Sequence, residues 1–274
     1  MPRLALYLDI LARSMVPPAI QAFLHGAMPR LRAQERLVGV ASGGSWISGE
    51  MDERSDLDLV LVTQDDAFPQ VMQERMQLAK TLGPLLVAFT GEHVGEPRLL
   101  ICLYGPSLLH VDLKFIALRD FGQRVENPDV LWERNAALTA ILAATQCRWP
   151  VPQLQWIEDR FWVWVHYAAA KLARGELFEV IDMLSFLRAQ VLGPLAVQDQ
   201  GHRPQGVRRV ETQAAKWVAA LEKTVALHDS RSCGAAIQAA VKLYQELRES
   251  HASTALLRHA EAEARVIHYL ESVL

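Results

Sequence analysis

Residues 42–62 read SGGSWISGEMDERSDLDLVLV, and this stretch decides what kind of domain the chain forms. A turn of small residues, Gly43, Gly44 and Ser45, is followed after ten residues by Asp56 and Asp58, which open an apolar run. Residues two apart on a strand point to the same face of the sheet. At about 4 Å and an effective dielectric of about 20, two such carboxylates repel by about 4 kcal/mol. A divalent cation removes that cost and a glycine turn can bind phosphate, so the stretch indicates chemistry on a nucleoside triphosphate.

Composition and charge restrict the class of protein, its partners and its compartment. The chain has 274 residues, 51% apolar and 22% charged, which is globular composition and enough length for one large domain or two ordinary ones. The formal net charge is −3 with no Lys/Arg block, so a nucleic-acid partner is not indicated. The cysteines are widely spaced and fit free thiols in a reducing compartment; they are Cys102, Cys147 and Cys233.

The N-terminal segment, residues 1–18, is predicted to be an amphipathic helix and not a signal peptide, because an arginine and an aspartate interrupt its apolar part. No apolar run approaches the roughly 20 residues that a membrane helix needs. We therefore expect a cytoplasmic protein with no membrane partner.

Apolar runs rich in Val, Ile and Leu alternate with polar breaks in the first part of the chain, a pattern typical of strands. The predicted strands cover residues 37–42, 57–63, 85–90, 99–104 and 109–118, and the predicted helices of this part cover residues 17–36 and 66–82.

The second part of the chain has helical spacing throughout and little Gly or Pro inside the segments. The predicted helices cover residues 128–146, 152–174, 177–192, 207–228, 232–250 and 253–274. The expected fold class is α+β: a small mixed β-sheet domain over residues 1–124, followed by an all-α helical bundle over residues 125–274.

A third acid lies in a similar setting. Asp112 has apolar neighbours on both sides within the strand-like run of residues 108–116, and it shares one face of that strand with His110 and Lys114. If this strand lies beside the one that carries Asp58, Asp112 joins the acid pair at one site. Ligation by oxygen alone suits Mg²⁺. The alternative is that Asp112 pairs with Lys114.

Together these residues resemble the nucleotidyltransferase superfamily, and within it the antibiotic adenylyltransferases that act on aminoglycoside-type compounds. The shared pattern is a Gly-Ser turn, a gap, an acid-apolar-acid triplet and a third acid on a neighbouring strand. The resemblance covers roughly residues 20–120. For the helical part it concerns only the architecture, since those enzymes also follow the sheet with a helical domain.

The resemblance implies a role for each matching position. Gly44 and Ser45 correspond to the turn that holds the triphosphate. Asp56 and Asp58 correspond to the metal ligands, and Asp112 to a carboxylate that ligates a metal or removes the proton from the acceptor hydroxyl.

Two further residues have open roles. Lys171 is a candidate cation for the phosphates by the same resemblance, and its alternative is an ordinary surface lysine. His110 is either a core histidine or a residue that lines the site.

The expected activity is Mg²⁺-dependent transfer of a nucleoside monophosphate, AMP from ATP, to a hydroxyl of a small acceptor such as an aminoglycoside-like compound, with a role in antibiotic resistance. One alternative is a toxin–antitoxin-type nucleotidyltransferase that modifies protein or RNA, although the near-neutral charge argues mildly against RNA. Another is a non-catalytic nucleotide-binding module, against which the complete set of acids argues. The pattern does not specify the acceptor, the nucleotide or the oligomeric state.

Overall fold

A computed structural model describes residues 16–251 and 255–274 of the chain. The chain divides into two compact units, the first ending at Trp149 and the second beginning at Pro150. The amphipathic helix expected within residues 1–18 lies almost entirely outside the described residues.

The first unit contains a six-stranded mixed sheet with the strand order β3-β4-β5-β2-β1-β6. Only β2 and β5 pair in parallel, and the other neighbours are antiparallel. The bounds predicted for the first two strands are confirmed, and the next three are confirmed to within a few residues. The strands are β1 Leu37–Ser42, β2 Leu57–Thr63, β3 Leu85–Gly91, β4 Glu96–Tyr104, β5 Leu109–Ala117 and β6 Asp129–Glu133.

The two faces of this sheet are covered unequally. Helices α1 (Pro18–Arg32) and α3 (Phe68–Leu82) bury one face in a large apolar cluster that includes Leu59 and Leu113. The opposite face carries a much smaller cluster built around Val62, Ile116 and Leu138, the last from α4 (Ala137–Ala144). This cluster covers the carboxyl ends of β2 and β5. On the same face, the residues nearer the amino ends of these two strands stay only partly buried or exposed. A one-turn helix, α2 (Ser45–Ser48), follows β1.

The helix predicted over residues 128–146 is wrong in its first part. Asp129–Glu133 forms the edge strand β6, which pairs antiparallel with β1, and only Ala137–Ala144 is helical. The run Val130-Leu131-Trp132 is apolar without interruption, so its periodicity does not separate a strand from a helix. The sheet unit therefore continues past residue 124, to Trp149.

The second unit is helical, as predicted, so the α+β fold class is confirmed. Three predicted helices differ from the structure: the one over residues 177–192 continues to Asp199, residues 207–228 break into short pieces, and the last helix begins at Ala260. Residues 253 and 254 of that last prediction lie outside the described residues. The helices are α5 Leu154–Ala173, α6 Leu177–Leu187, α7 Gly193–Asp199, α8 Val210–Gln213, α9 Val218–Glu222, α10 Ser230–His251 and α11 Ala260–Ser272, with a π-helical turn at Arg188–Leu192.

Among the described residues, one continuous helical segment, Leu177–Asp199, has the length and mean hydropathy of a membrane span. More than half of its most apolar window, 56%, is buried inside the structure, which is typical of a core helix.

Candidate active site

The structure places Asp58 and Asp112 next to each other. They are register partners on the parallel strands β2 and β5, so both side chains point to the same face of the sheet. This is the sparsely covered face, and both residues lie at its partly buried end. Asp56 directly precedes β2, and its charge acts on Asp112. The three acids, which we call the acid row, therefore lie towards the amino ends of the neighbouring strands β2 and β5.

The glycine turn lies against these acids. The Gly43 N–H and the Ser42 hydroxyl both donate to the backbone carbonyl of Asp58, at 3.2 and 3.0 Å, which fixes the turn beside β2. Gly44 has φ +61° and ψ −137°, a conformation that side chains rarely adopt, and a Cβ at this position would lie 2.1 Å from Asp58 Oδ2. Only glycine allows the backbone and the carboxylate to approach so closely.

Ser45 follows with a side chain that has no partner. Its residue is 6% exposed, and its hydroxyl oxygen makes no hydrogen bond within the described part of the chain. A buried hydroxyl without a partner costs roughly 1–3 kcal/mol. Such a group is typical of a site that is completed by a ligand.

The environment of Asp112 disfavours its charge. Burial is the largest effect and raises the pKa of this carboxyl above its usual value, and repulsion from Asp56 acts in the same direction. His110 opposes both, because its Nε2 lies 2.9 Å from Asp112 Oδ1. His110 is therefore not a core residue: its side chain is 49% exposed and contacts the acid row.

Lys114 does not neutralise Asp112. Its ammonium lies 2.9 Å from Glu96 Oε2 on the neighbouring strand β4, and Glu96 is also held by Arg98. The hydrogen bond from Arg98 is the largest of the effects that lower the pKa of Glu96 to about 2. The alternative in which Lys114 pairs with Asp112 is thus wrong, and the partner is His110.

Lys171 lies in the helical unit, on α5. Its ammonium forms an ion pair with Glu176 and lies over the ring of Tyr167. The contact with phosphate stays a prediction.

The donor chemistry of the acid row fits a hard divalent cation, since it consists of carboxylate oxygens. The side chains are not gathered, however: within residues 16–251 and 255–274, no group of three or more His, Cys, Asp and Glu is arranged to hold a metal ion. Ionised carboxylates repel each other when no cation lies between them. The register of Asp58 with Asp112 and the unpartnered Ser45 hydroxyl still fit a metal and a phosphate ligand.

One residue of the site has no signal in the sequence. Glu126, on the loop between β5 and β6, accepts the Gly44 N–H at 2.9 Å through its Oε1. The two residues are 82 positions apart, and no spacing motif joins them.

No protein-family model matches the sequence, and no curated protein matches it. Solved structures that it resembles include an aminoglycoside 6-adenyltransferase from Bacillus subtilis, with 15% identity and a TM-score of 0.40 over 91% of this chain and 97% of that chain. A nucleotidyltransferase-like protein from Exiguobacterium sibiricum has 13% identity and a TM-score of 0.40, with coverage of 93% and 89%.

The CCA-adding enzyme of Thermotoga maritima, solved in complex with tRNA, has 11% identity and a TM-score of 0.35, with coverage of 97% of this chain and 73% of that chain. At such low identities the roles of individual residues depend on the geometry of this chain alone.

Proposed function

We propose that this protein is a magnesium-dependent nucleotidyltransferase that transfers AMP from ATP to a hydroxyl of a small acceptor in the cytoplasm. The observation that carries the proposal is the juxtaposition of Asp58 and Asp112 in register beside a glycine turn that lies against the Asp58 carboxylate. An aminoglycoside-like acceptor, and with it a role in antibiotic resistance, is the leading candidate by analogy with the family that the sequence resembles.

The turn would bind the triphosphate. Gly44 has a backbone N–H, which Glu126 accepts in this structure, and the buried Ser45 hydroxyl is available to donate to a phosphate oxygen. The absence of a Cβ on Gly44 lets a phosphate lie close to Asp58.

Asp56, Asp58 and Asp112 would hold Mg²⁺, which when bound would neutralise phosphate charge and orient the α-phosphorus. Asp112 has a second role open to it, acceptance of the proton from the attacking hydroxyl, since burial raises its pKa and thus its basicity. The acceptor oxygen forms a bond to the α-phosphorus, the bond to the bridging oxygen breaks, and pyrophosphate leaves. Positioning and charge stabilisation supply most of the rate.

The test is pyrophosphate release from ATP with Mg²⁺ or with EDTA, across a panel of aminoglycosides, lincosamides and common metabolites. We expect turnover with at least one acceptor in Mg²⁺ only, and a loss of at least about a hundredfold in Asp58→Asn. Asp66→Asn, an exposed acid just beyond the other end of β2, is the matched control and should keep wild-type turnover. Full turnover in Asp58→Asn would refute the site.

The acceptor class is tested separately with labelled ATP in a cell lysate. Label on a small molecule supports the proposal. Label on protein or RNA would replace the acceptor that we propose while keeping the chemistry.

A further inference from the structure

The loop that carries Glu126 is anchored close to the glycine turn. Arg124, two residues earlier, donates to the backbone carbonyls of Thr145 at 2.7 Å and Gly122 at 3.3 Å, and to the side chain of Asn127 at 2.8 Å. The backbone of Arg124 accepts a hydrogen bond from the Arg148 N–H at 3.0 Å. These contacts hold Arg124 in place. The side chain of Glu126 therefore extends to the turn from a backbone that is anchored two residues earlier.

The carboxylate of Glu126 lies against the turn. Its Oε1 accepts the Gly44 N–H at 2.9 Å, and the same oxygen lies 3.2 Å from the place where a Cβ on Gly43 would be. Asp58 Oδ2 also lies against the turn, next to the place where a Cβ on Gly44 would be. Two carboxylates therefore lie against the backbone of the turn, and Glu126 accepts the Gly44 N–H.

We propose that Glu126 occupies the phosphate position of the turn in the nucleotide-free protein and has to rotate away when a triphosphate binds, so that this side chain sets the affinity for the nucleotide. The inference rests on the proposed function. One N–H cannot donate at full strength to two anions, and a carboxylate and a phosphate in contact repel each other. A neutral side chain of the same shape at position 126 would compete less.

The alternative is that Glu126 is a brace that keeps the turn in its binding conformation. The two roles predict opposite results. Loss of the charge strengthens the binding of triphosphate if Glu126 competes with it, and weakens the binding if Glu126 supports the turn.

The experiment compares the wild type with Glu126→Gln by calorimetric titration with inorganic triphosphate and with ATP, each with Mg²⁺. We expect about fivefold tighter binding in Glu126→Gln, because a charge-assisted hydrogen bond is roughly twice as strong as a neutral one. Glu53→Gln, an exposed acid in the loop before Asp56, is the matched control for the loss of one negative charge. It should change the affinity by less than about twofold, since exposed charges are screened.

Equal or weaker binding in Glu126→Gln, with a wild type that binds, overturns the competition and leaves the proposed function intact. No binding of either ligand by any variant overturns both. A second measurement follows the contact without a ligand: the Gly44 amide proton resonance should move upfield in Glu126→Gln. An unchanged resonance would show that the contact is absent in solution and would overturn the inference.

Discussion

Two acids, one in each unit, have opposite environments. Glu158 on α5 is fully buried, and although burial raises its pKa, hydrogen bonds from Tyr244, the His259 N–H, Trp162 and Arg248 outweigh that effect and lower it. Asp112 on β5 is only partly buried, yet its pKa is raised, because His110 alone opposes burial and the charge of Asp56.

The difference separates an acid that stabilises the fold from an acid that is available to a ligand. The charge of Glu158 is satisfied by residues of its own unit, so nothing further is needed there. The charge of Asp112 is poorly compensated, and carboxylates in that condition cluster at functional sites. The next experiments test this contrast by removing either the compensation or the charge.

Removal of Arg248, the cation that pairs with Glu158, should have the largest effect on stability. Arg248 is 3% exposed and lies 3.2 Å from Glu158 and 2.8 Å from Glu263. Arg248→Met leaves a buried carboxylate without its cation, and we expect a loss of about 3–5 kcal/mol in the free energy of unfolding, measured in urea.

The matched control for that change is Arg258→Met, which breaks an exposed ion pair with Glu249. It should cost no more than about 1 kcal/mol. If the two variants lose similar stability, the network around Glu158 does not have the structural role given to it here.

A substitution in the glycine turn should have the second-largest effect on stability. Gly44→Ala forces a side chain into a backbone region that only glycine enters freely and pushes a methyl group into Asp58, so we expect a loss of about 2–3 kcal/mol together with loss of triphosphate binding. Gly95→Ala also has a positive φ, +75°, but its Cβ would meet open space. It should cost only about 1 kcal/mol and leave binding unchanged. Urea unfolding and calorimetric titration measure both, and normal binding in Gly44→Ala would contradict the close approach.

Glu96 lies on the same sheet as Asp112, but neighbouring cations compensate its charge. The pH dependence of stability tests this compensation. Glu96 has its pKa lowered from 4.5 to about 2, first by Arg98 and then by Lys114. A lowered folded pKa gives stability that is present above pH 4.5 and is lost as the pH falls towards 2. The expected contribution is on the order of 2 kcal/mol after allowance for solvent screening. Glu96→Gln should flatten this part of the stability curve; an unchanged slope in the variant would show that the ion pairs do not form.

Asp112→Asn should have the smallest effect on stability. The raised pKa means that the ionised carboxyl is less favourable in the folded chain than in the unfolded one. Its neutralisation should therefore leave the free energy of unfolding unchanged or raise it by up to about 1 kcal/mol at neutral pH. Glu158→Gln should lose stability, because it weakens several buried hydrogen bonds. A stability loss in Asp112→Asn as large as that in Glu158→Gln would remove the contrast between the two acids.

Much of the sheet could be predicted from local pattern. The strands β1 and β2 are mainly apolar runs, β2 being interrupted by Asp58, and their ends fall where the sequence places them. The face shared by Asp58 and Asp112 follows from the two-residue period of a strand, once the two strands are neighbours.

Contacts that depend on distant segments could not be predicted. Glu126 meets Gly44 across 82 residues, and β6 takes its conformation from pairing with the edge of β1. Residues 207–228 have apolar residues at helical spacing, which predicts one long helix. Arg209, however, has φ +55°, and only short helices follow it. In the first two cases tertiary contacts decide the conformation, and local propensity does not.

The central claim is that carboxylates from β2 and β5 act on one metal-bound nucleotide. Its most direct test is a crystal structure of the protein with Mn²⁺ and a non-hydrolysable ATP analogue, in which anomalous scattering locates the metal. We predict a manganese ion ligated by oxygens of both Asp58 and Asp112, with the phosphates against Gly44 and Ser45. Manganese bound elsewhere, or held by an acid from only one of the two strands, would contradict the account.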